Sequence, residues 1–435
     1  MLSYPMGARA QSGGATKGVV ATLDPSGAVV MDWGVAGREA CWREDLEVMK
    51  RELPRRQKDF EKLMPRAEFE RQVSALEASI TNWTDAELMF GVMRLVAGLG
   101  VAHSVVSTAE TPLAGQWHQN LMGLKWFADG LVVVQAPEEY QATLGKRVVS
   151  IGGRTPQELE SKLAQYIPHE NLAWLRVREP SYLSITEMFQ ALQAAGADGA
   201  TDYVLEDTNG VRSTVSVRSR SLPEARKVKM VSVMNVLQIP RPPYLKNVKK
   251  HYWCEWLGDS RTLYIQYNVC GEDKKLPFAD FTEQVRELAT TNAVARVVVD
   301  LRWNAGGNSA VMSPLTRLLK KNAEWSGPGR LYVVIGGETF SSGVINALEL
   351  RDELQAVMVG EPTGGKPNGY GEVSSFKLPN TQLDIEFTTK YFNLEPNDAG
   401  AWVMPEILAP CKWSDFLAGR DPAMEKILEA GKNKK

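Results

Sequence analysis

Three short apolar runs, each closed by glycines, recur between Val297 and Lys366 and restrict the fold more than any other part of the chain. The first, VVVDLRWNAGG, ends in an acid, a base and a Gly pair, as a buried strand does when it leaves the core at a sheet edge. Val311, Leu315, Leu318 and Leu319 then keep helical spacing, and SGPG precedes the second run, LYVVI, at Leu331 to Ile335. GGETFSSG opens another helical pattern through Val344, Ile345 and Leu348, and AVMV leads into GEPTGGKPNGYG. Strand, helix, strand, helix, strand in this order predicts an α/β fold with a mostly parallel sheet. Ligands of such sheets bind beyond the carboxyl ends of the strands.

The glycine-rich turns carry the candidate chemistry. Ser341 and Ser342 stand at the start of a predicted helix, where unpaired N–H groups and the helix dipole favour developing negative charge. Lys366 follows 366 − 341 = 25 residues later, after one helix and one strand, a connection that returns it to the same sheet edge. A desolvated lysine with a lowered pKa can serve a serine as base. Ser342 and either Gly306 or Gly307 can supply the backbone donors of an oxyanion hole. Taken singly, each signal has a plainer reading: a Ser-Ser pair as a helix cap, a Gly pair as a turn, a lysine as a solvated charge. Three of them in register favour a site.

At these residues the sequence resembles the carboxy-terminal-processing (tail-specific) serine peptidases. The matching pieces are DLRWNAGG at Asp300–Gly307, TFSSG at Thr339–Gly343 and VGEPTGGK at Val359–Lys366. The resemblance implies a ClpP/crotonase-like sheet-and-helix domain, Ser341 rather than Ser342 as nucleophile, and Lys366 as general base. Asp352 falls where some members carry an acidic residue near the dyad. The chain departs from the family in having Ser342 directly after the nucleophile and Val344 where an acid is usual. Peptide or unfolded-protein substrates are implied, with no metal and no organic cofactor. In the branch that includes the tricorn core, a His followed by a small hydroxyl residue serves the active site, and His103-Ser104 in GVAHSVV resembles that element. The competing reading of His103 is a core or turn histidine.

Two other function classes fit the same architecture. One is a binding protein that keeps the fold without turnover, since the family includes a retinoid-binding branch. The other is a crotonase-type acyl-CoA enzyme, which needs oxyanion amides but no Ser-Lys pair at this interval. The net charge of −2 gives no reason to expect nucleic acid or an anionic membrane as partner, and no apolar run approaches a membrane span. Cys41, Cys254, Cys270 and Cys411 form no paired metal-type motif; free buried thiols are the favoured state, and two disulfides are the alternative.

The remaining organisation is read in chain order. Residues 1–40 form a flexible lead in which GARAQSGG resembles the end of a signal peptide without its apolar region, so an extracytoplasmic location is expected. Residues 41–118 are a helical N-terminal domain: Trp42, Leu46, Met49 and Leu53 share one face, Phe69, Val73, Leu76 and Ile80 another, and Thr84 with Glu87 forms a capping box. Residues 119–220 resemble a divergent PDZ-like module, with strand GLVVVQA, a helix opened by Thr155 and Glu158, a hairpin turning at Asn209-Gly210, and a helical insertion over about 167–197. Residues 221–248 read as a linker, and 249–435 as the peptidase-like domain, entered by a hairpin split at Asp259-Ser260.

Overall fold

The computed structural model describes residues 20–23, 29–108, 111–196, 199–397 and 400–430. The GARAQSGG stretch lies outside them. A hairpin of β1 (Val20–Leu23) and β2 (Val29–Asp32) precedes helices α1 (Arg38–Arg56), α2 (Arg66–Ala78) and α3 (Asp85–Ala97). The helices pack through the residues that helical periodicity selects: Trp42, Leu46, Met49, Leu53, Phe69 and Val73 are all fully buried. At the start of α3 the Thr84 side chain accepts from the Glu87 N–H, and the Glu87 carboxylate accepts from the Thr84 N–H, satisfying two donors that a helix start leaves free. A short strand, β3 (Val106–Ser107), follows.

An antiparallel sheet comes next, built from β4 (Gly123–Phe127), β5 (Gly130–Pro137), β6 (Arg147–Ile151), β7 (Thr201–Glu206) and β8 (Arg212–Val217). It is extended by β9 (Met230–Ser232), which comes from the segment read as a linker and pairs with Gln135–Pro137. Between β6 and β7 lie α4 (Pro156–Leu163), capped by Thr155 and Glu158, and then α5 (Leu172–Tyr182) and α6 (Thr186–Ala191). The last two occupy the predicted insertion.

The second half is a mixed α/β layer structure. Its strands are β10 (Tyr252–Leu257), β11 (Thr262–Tyr267), β12 (Arg296–Asp300), β13 (Leu331–Ile335) and β14 (Val357–Gly360). A long hairpin of β15 (Asn368–Lys377) and β16 (Asp384–Asn393) leaves this sheet and pairs with β3, and the chain returns as β17 (Ile407–Leu408). The sheet order is β10-β11-β12-β13-β14-β17, antiparallel only between β10 and β11.

Both faces of the sheet are covered, which explains why its strands read as unbroken apolar runs. Val297, Val299, Leu331 and Val333 pack on α7 (Phe278–Thr291), α8 (Ser313–Lys321) and α9 (Ser342–Leu354). Val298, Tyr332 and Val334 face the other way, toward Met424 and Ile427 of the closing helix α10 (Pro422–Ala430). Half-buried Arg302 fixes that helix: its guanidinium lies between Asp300 and Asp421, with contacts of 2.9–3.1 Å, while the Tyr264 hydroxyl donates to Asp300 at 2.6 Å. The acid and base of DLRWN therefore serve architecture. Among the described residues no helix is long and apolar enough to cross a membrane, and all four cysteines are free.

The N-terminal helices join the rest through buried polar contacts as well as apolar ones. Asp45 on α1 is fully buried and accepts from the backbone N–H groups of Asn380 and Thr381 and from the Thr381 hydroxyl, all at 2.6–2.8 Å. Asp45→Ala should leave those donors buried without partners and cost about 3 kcal/mol. Urea unfolding would measure it, and a change below about 1 kcal/mol would mean that water replaces the carboxylate.

Candidate active site

Three sheet-end turns meet at one cavity of about 610 Å³, lined by His103, Glu170, Gly307, Ser341, Ser342 and Lys366 among others. The turn after β13 brings in Ser341, which is the N-cap of α9 and has φ 50 and ψ −125. A non-glycine residue in that region is strained, at a cost of order 1–3 kcal/mol, and such strain gathers at functional sites. The turn is held from behind. Phe340 N–H donates to the Asn304 carbonyl at 2.9 Å, and the Thr339 hydroxyl donates to the Leu301 carbonyl at 2.8 Å. Gly306 lies so close that a Cβ there would stand 2.7 Å from the Ser341 Cβ, and its φ of +106 excludes ordinary side chains as well.

The two serines have different surroundings. Ser342 is buried and its hydroxyl donates to the Gly307 carbonyl at 2.7 Å. The Ser341 hydroxyl has no hydrogen-bond partner among the described residues and lines the cavity. The backbone donors also separate. Gly306 N–H is taken by the Asn304 side chain at 2.9 Å, so of the two glycines read as oxyanion donors it is engaged elsewhere. Gly307 N–H and Ser342 N–H have no acceptor among the described residues. A helix start beside a free amide suits a developing oxyanion.

His103 reaches the cavity from the turn between α3 and β3. Its neighbour Ser104 donates to the Gln57 side chain at 2.9 Å, and that same oxygen accepts from Thr388 N–H at 3.0 Å, which ties the His103 turn to α1 and β16. The residue is half-buried, yet both ring nitrogens are out of contact with solvent and have no partner. Its ring stacks on Phe340 with centroids 4.4 Å apart. Desolvation by burial lowers the imidazole pKa to about 4, so the ring is neutral at neutral pH.

Lys366 faces a partner that sequence reasoning missed. Glu170, at the start of the helical insertion, places Oε1 3.8 Å from the lysine Nζ, with the lysine side chain about a third exposed and the glutamate nearly enclosed. Burial pushes the Glu170 carboxyl up to about 7, opposed first by Lys366 and then by the Ala102 N–H. Nothing in the local sequence marks Glu170, because its burial is made by segments far away in the chain. Asp352 is not brought to the cavity: it is exposed on the last turn of α9 and accepts from Arg351 at 2.6 Å.

The fold is shared with mature CPAF, at a TM-score of 0.61 and 13% identity over 91% of this chain and 98% of that chain. Mature CPAF complexed with lactacystin matches at 0.60 and 12% identity, over 90% and 98% of the two chains. The photosystem II D1 C-terminal processing protease is a more distant likeness, at 0.38 and 14% identity over 90% and 99%. No family model matches the chain, and no curated protein matches it. At these identities the likeness to mature CPAF is one of fold.

The neutral state of His103 has a consequence for stability. Its folded pKa lies below the ordinary 6.5, so the unfolded chain takes up the proton first; the stability is complete above pH 6.5 and falls as pH drops toward 4. Glu170 acts in the opposite sense, because its raised carboxyl is protonated first in the folded protein. Comparing wild type with His103→Phe removes that opposing contribution. From pH 7 down to 4.5, wild type should lose roughly 2 kcal/mol more than the variant in urea unfolding. Parallel pH slopes would mean that His103 is not held neutral by the fold.

Proposed function

We propose that this chain is a serine-type peptidase of the carboxy-terminal-processing kind, with Ser341 as nucleophile and His103 as general base. The observation that carries the reading is the Ser341 turn: an unengaged hydroxyl on a strained helix start, beside two unused amides, at the cavity that also receives an unpaired neutral imidazole. Neutral His103 takes the Ser341 proton as Oγ attacks a peptide carbonyl carbon. Gly307 and Ser342 N–H groups hold the resulting oxyanion. The intermediate collapses by breaking the C–N bond, and the departing amine takes the proton from His103. Water, deprotonated by the same imidazole, then cleaves the acyl-enzyme and restores Ser341.

A second reading keeps Lys366 as the base, as the family resemblance implies. Its support is the 25-residue interval from Ser341 (366 − 341) and its place on the same cavity. The position of Glu170 weighs against it, because its Oε1 lies 3.8 Å from the Lys366 Nζ and competes with Ser341 for that nitrogen. Under either reading the β15–β16 hairpin, which contributes Tyr370, Val373 and Phe392 to the cavity wall, lies where an extended chain would pass. Residues 119–220 would act as a PDZ-like module presenting peptide to it, and the sheet bearing α9 as the ClpP/crotonase-like element.

Four single variants test this against a fluorophosphonate probe and a peptide-hydrolysis assay. Ser341→Ala should abolish both labelling and turnover, whereas Ser342→Ala should keep labelling. His103→Ala should lower kcat about 10²–10⁴-fold, with Lys366→Ala within about tenfold of wild type. The reverse order for the last pair would establish the Ser-Lys dyad instead. Absence of labelling in folded wild type would leave the non-catalytic binding protein as the better reading.

A further inference from the structure

The imidazole of His103 lacks what usually orients a catalytic base. A histidine base is ordinarily held by a third polar group on its second nitrogen, and here neither nitrogen has a partner. What does hold the ring is aromatic. Phe340, the residue before the nucleophile, stacks on His103 at 4.4 Å and 28°. Trp174 stacks on Phe340 at 3.9 Å and 8°. Phe340, Trp174 and Ala102 form a small apolar cluster separate from the larger cores.

We propose that Trp174 is a positioning residue of this site, acting through Phe340 to fix the ring plane of His103. The helix that carries it, α5, is held to β4 by the Trp126 indole N–H, which donates to Glu179 at 2.8 Å, and to the site by its first turn. Asn171, its N-cap, accepts from Trp174 N–H at 2.9 Å and donates its side-chain amide to the carbonyls of Thr363, Gly364 and Ala401 at 2.7–3.3 Å. Gly364 accommodates the indole: a Cβ there would stand 2.8 Å from Trp174 Cε3. The insertion between α4 and β7 therefore reaches the Lys366 turn through Asn171 and the Ser341 turn through Trp174. With the indole removed, one face of Phe340 is left open and the imidazole loses the surface that sets its plane. A base misplaced by about 1 Å costs on the order of 10²-fold in rate.

This inference rests on the reading of His103 as base, and a double-mutant cycle separates the two. Trp174→Ala, Trp174→Phe, His103→Ala and the Trp174→Ala/His103→Ala pair would be assayed for peptide hydrolysis, with thermal melting as the check on folding. Trp174→Ala should lower kcat tenfold or more with KM within about twofold, and Trp174→Phe should restore most of it. In the His103→Ala background the second substitution should cost less than about twofold, because its effect runs through the imidazole. A full additional loss in that background would overturn the proposal, and so would wild-type kcat in folded Trp174→Ala. Should Trp174→Ala fail to fold, Trp174→Leu, which keeps bulk without a flat face, must show the same kcat loss for the proposal to stand. A His103→Ala enzyme with unchanged kcat would instead remove the reading on which it rests.

Discussion

Backbone meets backbone at the carboxyl edge of the parallel sheet, and the site depends on that contact. The Phe340 N–H bonds the Asn304 carbonyl, and Gly306 lies against Ser341 with no room for a Cβ between them. Gly343 is under the same constraint, since a Cβ there would stand 2.5 Å from the Asn304 carbonyl oxygen. The strain in the Ser341 backbone is thus imposed by a neighbouring turn that cannot move away, because Asn304 is itself tied to the Tyr267 carbonyl and Gly306 to Cys270 N–H. Preorganisation of this kind leaves the Ser341 hydroxyl outside the local hydrogen-bond network, and the Gly307 and Ser342 amides without acceptors among the described residues.

Around that turn, residues from every part of the chain are placed by buried polar contacts. Gln57, the C-cap of α1, accepts from Ser104 and from Thr388, so the position of His103 is set jointly by the N-terminal helices and the late hairpin. Asn171 does the equivalent for the inserted helix. The helical region and the antiparallel sheet share one continuous apolar cluster with Leu383, Ile385 and Phe387 of the hairpin region. Removing the middle segment as a unit would therefore strip Glu170 from the cavity and Trp174 from Phe340, so its contribution is bound up with that of the site.

Two opposite electrostatic arrangements flank Ser341. His103 has no countercharge and burial keeps it neutral, whereas Lys366 faces a glutamate whose own charge burial disfavours. Only the glutamate of this pair is enclosed, so its desolvation offsets much of the attraction to the partly exposed lysine. The pair fixes the Lys366 turn beside the cavity, next to Gly365, where a Cβ would stand 3.1 Å from Ser341 N.

The sequence alone determined the periodic features. The apolar runs at Val297, Leu331 and Val357 became parallel strands, because only strands buried on both faces read without alternation. The Thr84 and Thr155 capping boxes began helices where Glu follows three residues later. Ser341, Ser342, Gly307 and Lys366 were legible for the same reason: each lies in a turn directly after such a strand, so strand order places all four at one edge. Tertiary structure decided the rest. Whether Ser341 or Ser342 is free depended on the carbonyl of Gly307, and the state of His103 on a Phe340 ring more than two hundred residues away in the chain (340 − 103 = 237). Asp352 failed to reach the cavity because its place late on α9 points it to solvent beside Arg351. Glu170 and Trp174 carry no local signature at all: burial and stacking are made by pairs of distant segments, and no pattern within either segment records them.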